Sequence, residues 1–97
     1  MTWLSLQSFA AAAHQGFDLS LGESTLMLTL VEVKPLPPHP FPGMMREPFS
    51  LMFRSASLVV LPQRLYRLRH AAMGAIDMFL VPVARDAQGV LYQAVYN

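Results

Sequence analysis

The sequence predicts a mainly β protein, a short N-terminal helix followed by a strongly bent five-stranded antiparallel sheet or small barrel. Three observations predict it. Residues 65–97 read as three strands joined by short turns, since residues 65–70 alternate, 71–74 and 86–89 are Gly-containing turns, and 75–84 and 91–96 are β-rich. Leu26, Leu28 and Leu30 share one parity, whereas Val31 and Val33 take the other. Strand side chains alternate with a period of two, so this switch of inward face demands a bulge or sharp bend near Leu30 and Val31. Finally, six of the eight prolines fall within residues 34–48, where their missing N–H excludes a ladder.

The elements follow in order. Ser5 caps a helix over about residues 5–15, with Leu6, Phe9, Ala10 and Ala13 at helical spacing and Gly16 placed to end it. A helix of about ten residues does not persist alone in water, so its Leu6 and Phe9 stripe must dock on the sheet, with Trp3 as an added anchor. The β part begins at residues 17–21, turns at 22–24, and continues into 25–33 as its longest strand. Residues 34–48 form a stiff, proline-rich surface loop. Phe49, Leu51 and Phe53 then alternate with Ser50, Met52 and Arg54, and residues 58–61 extend or follow that strand. In residues 76–83, Ile76, Met78 and Leu80 occupy one face, and Phe79, Val81 and Val83 the other. Both faces are therefore expected to be covered, one by the barrel interior and the other by the helix or a neighbour.

The 97 residues make a single domain, 1–97, with a barrel over about 17–97. Hydrophobic residues are 54% of the chain and charged residues 13%, about half the usual charged fraction. Too few charges remain to coat the surface, which predicts a homo-oligomer or another protein partner over a monomer with an apolar exterior. Phe41, Met44, Met45, Phe79 and Val81 are the candidate contact residues. The net charge of +1 argues against strong non-specific attraction to nucleic acid or anionic membrane. Cysteine is absent, which excludes disulfides, thiolate metal sites and cysteine nucleophiles. With no Lys or Arg in residues 1–17 and no apolar run long enough to span a bilayer, a cytoplasmic protein without membrane attachment is expected.

Catalytic patterns are missing. His14, His39 and His70 lack the spacing that brings ligands together on a metal, which makes them ordinary surface histidines. The six carboxylates are scattered singly, and no nucleophile elbow or glycine-rich phosphate loop occurs. The expectation is a non-enzymatic chain without metal or cofactor. Asp77 lies within an apolar strand and is read as an outward, solvated carboxylate; if buried, it would pair with Arg67 or Arg69. Arg54, Arg64, Arg67 and Arg69 form the best basic cluster and the candidate RNA contact, but no interleaved aromatic platform accompanies them. Lys34, Pro37 and Pro40 match the spacing of polyproline ligands for aromatic grooves, a pattern that proline-rich stretches also produce by chance.

Two stretches carry a resemblance. Leu28, Thr29, Leu30, Val31, Glu32 and Val33, followed by prolines and residues 47–51, and then residues 61–63, 66–70, 79–83 and 92–97, resemble a small bacterial family of unknown function that spans about the whole chain. Some of its relatives are encoded near phage-tail-collar-like proteins, which implies an accessory or assembly role. The order of a short helix and bent antiparallel strands also resembles the Sm-like barrel, whose members form rings through edge strands and often bind RNA. The sequence departs from the Sm pattern, since the Asp and Asn of the Sm loop are not at their usual places and Arg69-His70 stands where Arg-Gly is expected. The first reading is thus an Sm-like barrel acting by self-association or protein contact, and the alternative is an Sm-like RNA-binding protein.

Overall fold

The computed structural model describes residues 5–37 and 48–96. A short helix, α1 (Leu6–Ala11), precedes six strands: β1 (Gly16–Leu21), β2 (Ser24–Pro35), β3 (Phe49–Ser55), β4 (Arg64–His70), β5 (Gly74–Asp86) and β6 (Gly89–Tyr96). They close into an antiparallel barrel in the order β1-β2-β3-β6-β5-β4. The mainly β expectation holds, with six strands where five were expected. The six strands are the segments that the alternation marks in the sequence, and the count of five was one short of them.

The two longest strands, β2 and β5, turn the sheet on itself. The first half of β2 pairs with β1 from Ser24 to Thr29, and its second half pairs with β3 from Leu28 to Pro35. Between Leu30 and Glu32 the register shifts, leaving Val31 as the bulged residue. The face switch legible in the sequence is this bulge, which keeps Leu30 and Val33 inward while Glu32 and Lys34 face solvent. β5 repeats the device, pairing with β4 up to Leu80 and with β6 from Val81 onward, with a shift between Pro82 and Ala84. Pro82 is tolerated there because β4 has already ended, so no ladder bond is needed on that side. At 13 residues, β5 rather than β2 is the longest strand.

The barrel is consequently built from two three-stranded meanders, β1-β2-β3 and β4-β5-β6, joined by two antiparallel seams. The β3–β6 seam runs from Phe49 opposite Tyr96 to Ser55 opposite Val90. The β1–β4 seam has only two pairs, Asp18 with Arg69 and Leu19 with Leu68. Inside, Phe17, Phe53, Leu68, Leu80 and Tyr92 are fully buried, each large apolar side chain contributing about 1.5–3 kcal/mol by its removal from water.

α1 is shorter than expected. Ser5 caps it, its hydroxyl accepting from the Ser8 N–H at 3.2 Å, but the helix ends at Ala11 rather than near residue 15. The chain is drawn instead into the sheet: His14 takes a left-handed φ of 68°, its N–H donates to the Leu30 carbonyl, and the Leu30 N–H donates to the Gln15 carbonyl at 3.1 Å. Gly16 therefore opens β1. Phe9 is the buried anchor, its ring 5.9 Å from Phe49 and 5.6 Å from Tyr96, while Ala12, not Ala10, completes the buried face. α1 thus caps the Phe49–Tyr96 end of the β3–β6 seam, and among the described residues nothing covers Phe79 and Val83 on the outer face of β5. Trp3 lies outside the described residues.

Residues 58–61 do not extend β3. After Ser55 the chain crosses the barrel end without strand pairing, held by two tyrosines: the Leu61 N–H donates to the Tyr92 hydroxyl at 3.0 Å, and the Tyr66 hydroxyl donates to the Pro62 carbonyl at 2.6 Å. β3 ends at Ser55, opposite Val90 near the start of β6, where Gly89 comes so close that a Cβ there would stand 1.7 Å from the Ser55 carbonyl oxygen.

Candidate functional site

The most distinctive exterior feature lies where β5 passes from β4 to β6. Leu65 and Phe79 are cross-strand neighbours, with Val81 one outward position farther along β5, opposite Gln93. Leu65 is 60% exposed, and Phe79 and Val95 are each 51% exposed. The β5–β6 ladder begins at Val81 and Gln93, so Val95 shares the outward parity of Gln93 two positions beyond the last pair, while Leu65, Phe79 and Val81 share the outer face of β4 and β5. The expected two-sided covering of β5 is half observed: Ile76, Met78 and Leu80 line the core, whereas Phe79 and Val83 are exposed. Phe79 and Val81, two of the five contact candidates, are brought together here. Phe41, Met44 and Met45 lie outside the described residues, as does Pro40 of the proline motif.

The four arginines do not form one patch. Arg54 stands on β3, while Arg64, Arg67 and Arg69 stand on β4, and in the closed strand order β3 and β4 are three places apart, on opposite walls. Arg54 pairs with Asp86 at 3.2 Å, and the Arg67 Nε pairs with Asp77 at 2.9 Å. The Arg67 hydrogen bond holds the Asp77 carboxyl below its ordinary range, against a small opposing effect of burial. Asp86 is likewise lowered, first by the Gln88 N–H and then by Arg54. Both pairs are exposed and contribute little to stability. Asp77 is thus the outward carboxylate expected, and its neighbour across the ladder is Arg67.

Arg64 is placed differently. Its guanidinium carbon lies 5.5 Å from the Tyr66 ring centroid, a cation–π distance, and it has no ion-pair partner among the described residues. Burial pushes the Tyr66 hydroxyl pKa up, and the Arg64 charge partly reverses that rise. Next to this pair, Ser20, Leu21, Gly22 and residues 64–67 line a cleft of about 250 Å3. Its origin is the short β1–β4 seam. Were pairing to continue beyond Leu19 and Leu68, Ser20 would face Arg67, Leu21 would face Tyr66 and Gly22 would face Leu65; the cleft is that unpaired half.

Sequence reasoning missed Ser20, Leu21 and Gly22 as cleft residues, because the β1–β4 pairing joins positions some fifty apart and leaves no local signal. It also misplaced His70. Expected at the surface, His70 is 6% exposed, its ring stacked on Phe17 at 4.6 Å and its Nε2 2.6 Å from the Gln15 Oε1. The signal was its parity: His70 continues the inward Tyr66, Leu68 series. Among the described residues, no group of three His, Asp or Glu side chains could hold a metal ion. None of the described helices is long and apolar enough to cross a membrane.

Fold and surface together define a small closed antiparallel β-barrel with one short helical cap, an apolar outer face and an open seam. Residues 4–96 match the model of DUF6916, a domain of unknown function, and the chain belongs to that family. No curated protein and no solved structure matches it.

Proposed function

We propose that the barrel is a non-enzymatic contact module that associates with a second copy of itself through the β4–β5–β6 outer face. The observation that carries this reading is the outward, exposed cross-strand pair of Leu65 and Phe79 at the handover of β5, with Val81 next along the same face. The scarcity of charge supports it, since a chain with 13% charged residues has little with which to dilute such a face. A stable interface takes roughly 800 Å2 from each partner, so these side chains form the centre of the contact and Arg67, Asp77 and Gln93 its rim.

The test is sedimentation velocity across the micromolar range, on the wild type and on Phe79→Glu and Leu65→Glu. The wild type is expected to sediment as a dimer or larger species and both variants as the 10.8 kDa monomer, with unchanged circular dichroism because both side chains point outward. A wild type that is monomeric throughout overturns the proposal.

The RNA-binding, Sm-like alternative has one favourable observation, the placement of Arg64, Arg67 and Arg69 along β4. It has less support, because Arg54 faces away and Arg67 already holds Asp77.

A further inference from the structure

We infer that the unpaired half of the β1–β4 seam is a recognition slot for the free C-terminal carboxylate end of an extended peptide. It does not depend on self-association, although Leu65 and Arg67 belong to both surfaces.

The first support is backbone chemistry. β1 and β4 stop pairing after Leu19 and Leu68, yet β1 continues to Leu21 and β4 begins at Arg64. The facing edges of residues 20–21 and 64–67 therefore carry strand N–H and C=O groups beyond the last pair of the seam. Such edges pair readily with an added extended chain. The pairs at Leu19–Leu68 and Asp18–Arg69 bound the cleft on one side, which suits a chain end better than a strand running through.

Size and charge agree with that conclusion. At about 250 Å3, the cleft falls just below the roughly 300 Å3 at which sites for drug-sized ligands begin, which suits a terminus of a couple of residues. Among the described residues, two cations and no anion line it. Arg64 is held against Tyr66 and has no ion-pair partner among the described residues. Arg67 directs Nε and Nη2 to Asp77, which leaves Nη1 for a ligand. Guanidinium groups bind carboxylates through charge-assisted, often bidentate hydrogen bonds. Exposed Leu21 and Leu65 at the mouth give the penultimate side chain an apolar contact.

The probe is an acetylated Thr-Val-Thr-Val tetrapeptide with a free C-terminal carboxylate, compared with its C-terminal amide and with inorganic phosphate. Binding is followed by amide chemical shifts of the full chain in solution. The carboxylate peptide is expected to shift residues 20–22 and 64–67 saturably at up to millimolar concentration, and the amide to bind at least about tenfold more weakly. Arg64→Ala should lose about tenfold or more in affinity, while Arg54→Ala on the opposite wall binds as the wild type does. The inference is overturned by no shifts at millimolar peptide, by equal binding of acid and amide, by an unaffected Arg64→Ala variant, or by phosphate shifting the same amides as strongly as the peptide does.

Discussion

His70 ends β4 with both ring nitrogens engaged. Nδ1 accepts the backbone N–H groups of Ala72 and Met73, each at 3.1 Å, which leaves Nε2 to donate to Gln15. One side chain thereby folds the β4–β5 turn and ties it to the segment that follows α1. His70→Ala removes these bonds and the stacking on Phe17, and is expected to lower unfolding stability by roughly 1–3 kcal/mol in urea denaturation. His70→Asn should recover part of that loss, because an Asn oxygen accepts from the turn amides in the same way. The parity of His70 was legible in the sequence and its partners were not, since Gln15 lies 55 positions away.

Among elements, the β5–β6 hairpin shows how a turn can fix a neighbouring strand. Gly89, at φ 137°, lies so close to β3 that an added methyl group would overlap the Ser55 carbonyl. Gly22, at φ 79°, has the same conformational need, but a Cβ placed there would meet nothing within 4 Å. Gly22→Ala is therefore expected to cost about 1–2 kcal/mol, the penalty of a left-handed residue alone. Gly89→Ala should cost clearly more, because backbone must move as well, and thermal denaturation of the two variants reads the difference. The bend of β2 was legible because Leu30 and Val31 break parity within a single strand. The end of α1 was not, because the hydrogen bonds of residues 14 and 15 to Leu30 outcompete the local helical pattern. Residues 58–61 follow β3 without extending it for a related reason: the Tyr92 hydroxyl of β6, bonded to the Leu61 N–H and the Val59 carbonyl, stands in place of a ladder.

Across the whole molecule, the two meanders are joined unequally. The β3–β6 seam is paired along its length and capped by Phe9 of α1 at its Phe49–Tyr96 end, whereas the β1–β4 seam stops after two pairs. Amide hydrogen exchange should therefore be slowest in β3 and β6 and faster in residues 20–21 and 64–67; equal protection at the two seams would contradict this view of the barrel. The division of the arginines between walls belongs to the same scale. Arg54 and Arg67 sit on strands that each look basic and outward in sequence, and only the closing order of the barrel sets them back to back. The mainly β class was legible from turns and alternation, but the contact face and cleft depend on which meander edges meet.

The plan of two meanders and two seams also sets the order in which the chain assembles. Pairings within each meander join strands adjacent in sequence, while both seams join residues about 35 to 50 positions apart. The entropic cost of bringing distant segments together thus falls on closure, after each meander has acquired its own turns. Once β6 docks on β3, the remaining edges are already held near each other, and β1 can meet β4 with little further loss of chain freedom. The long seam is therefore expected to form in the slow event and the short one in its wake.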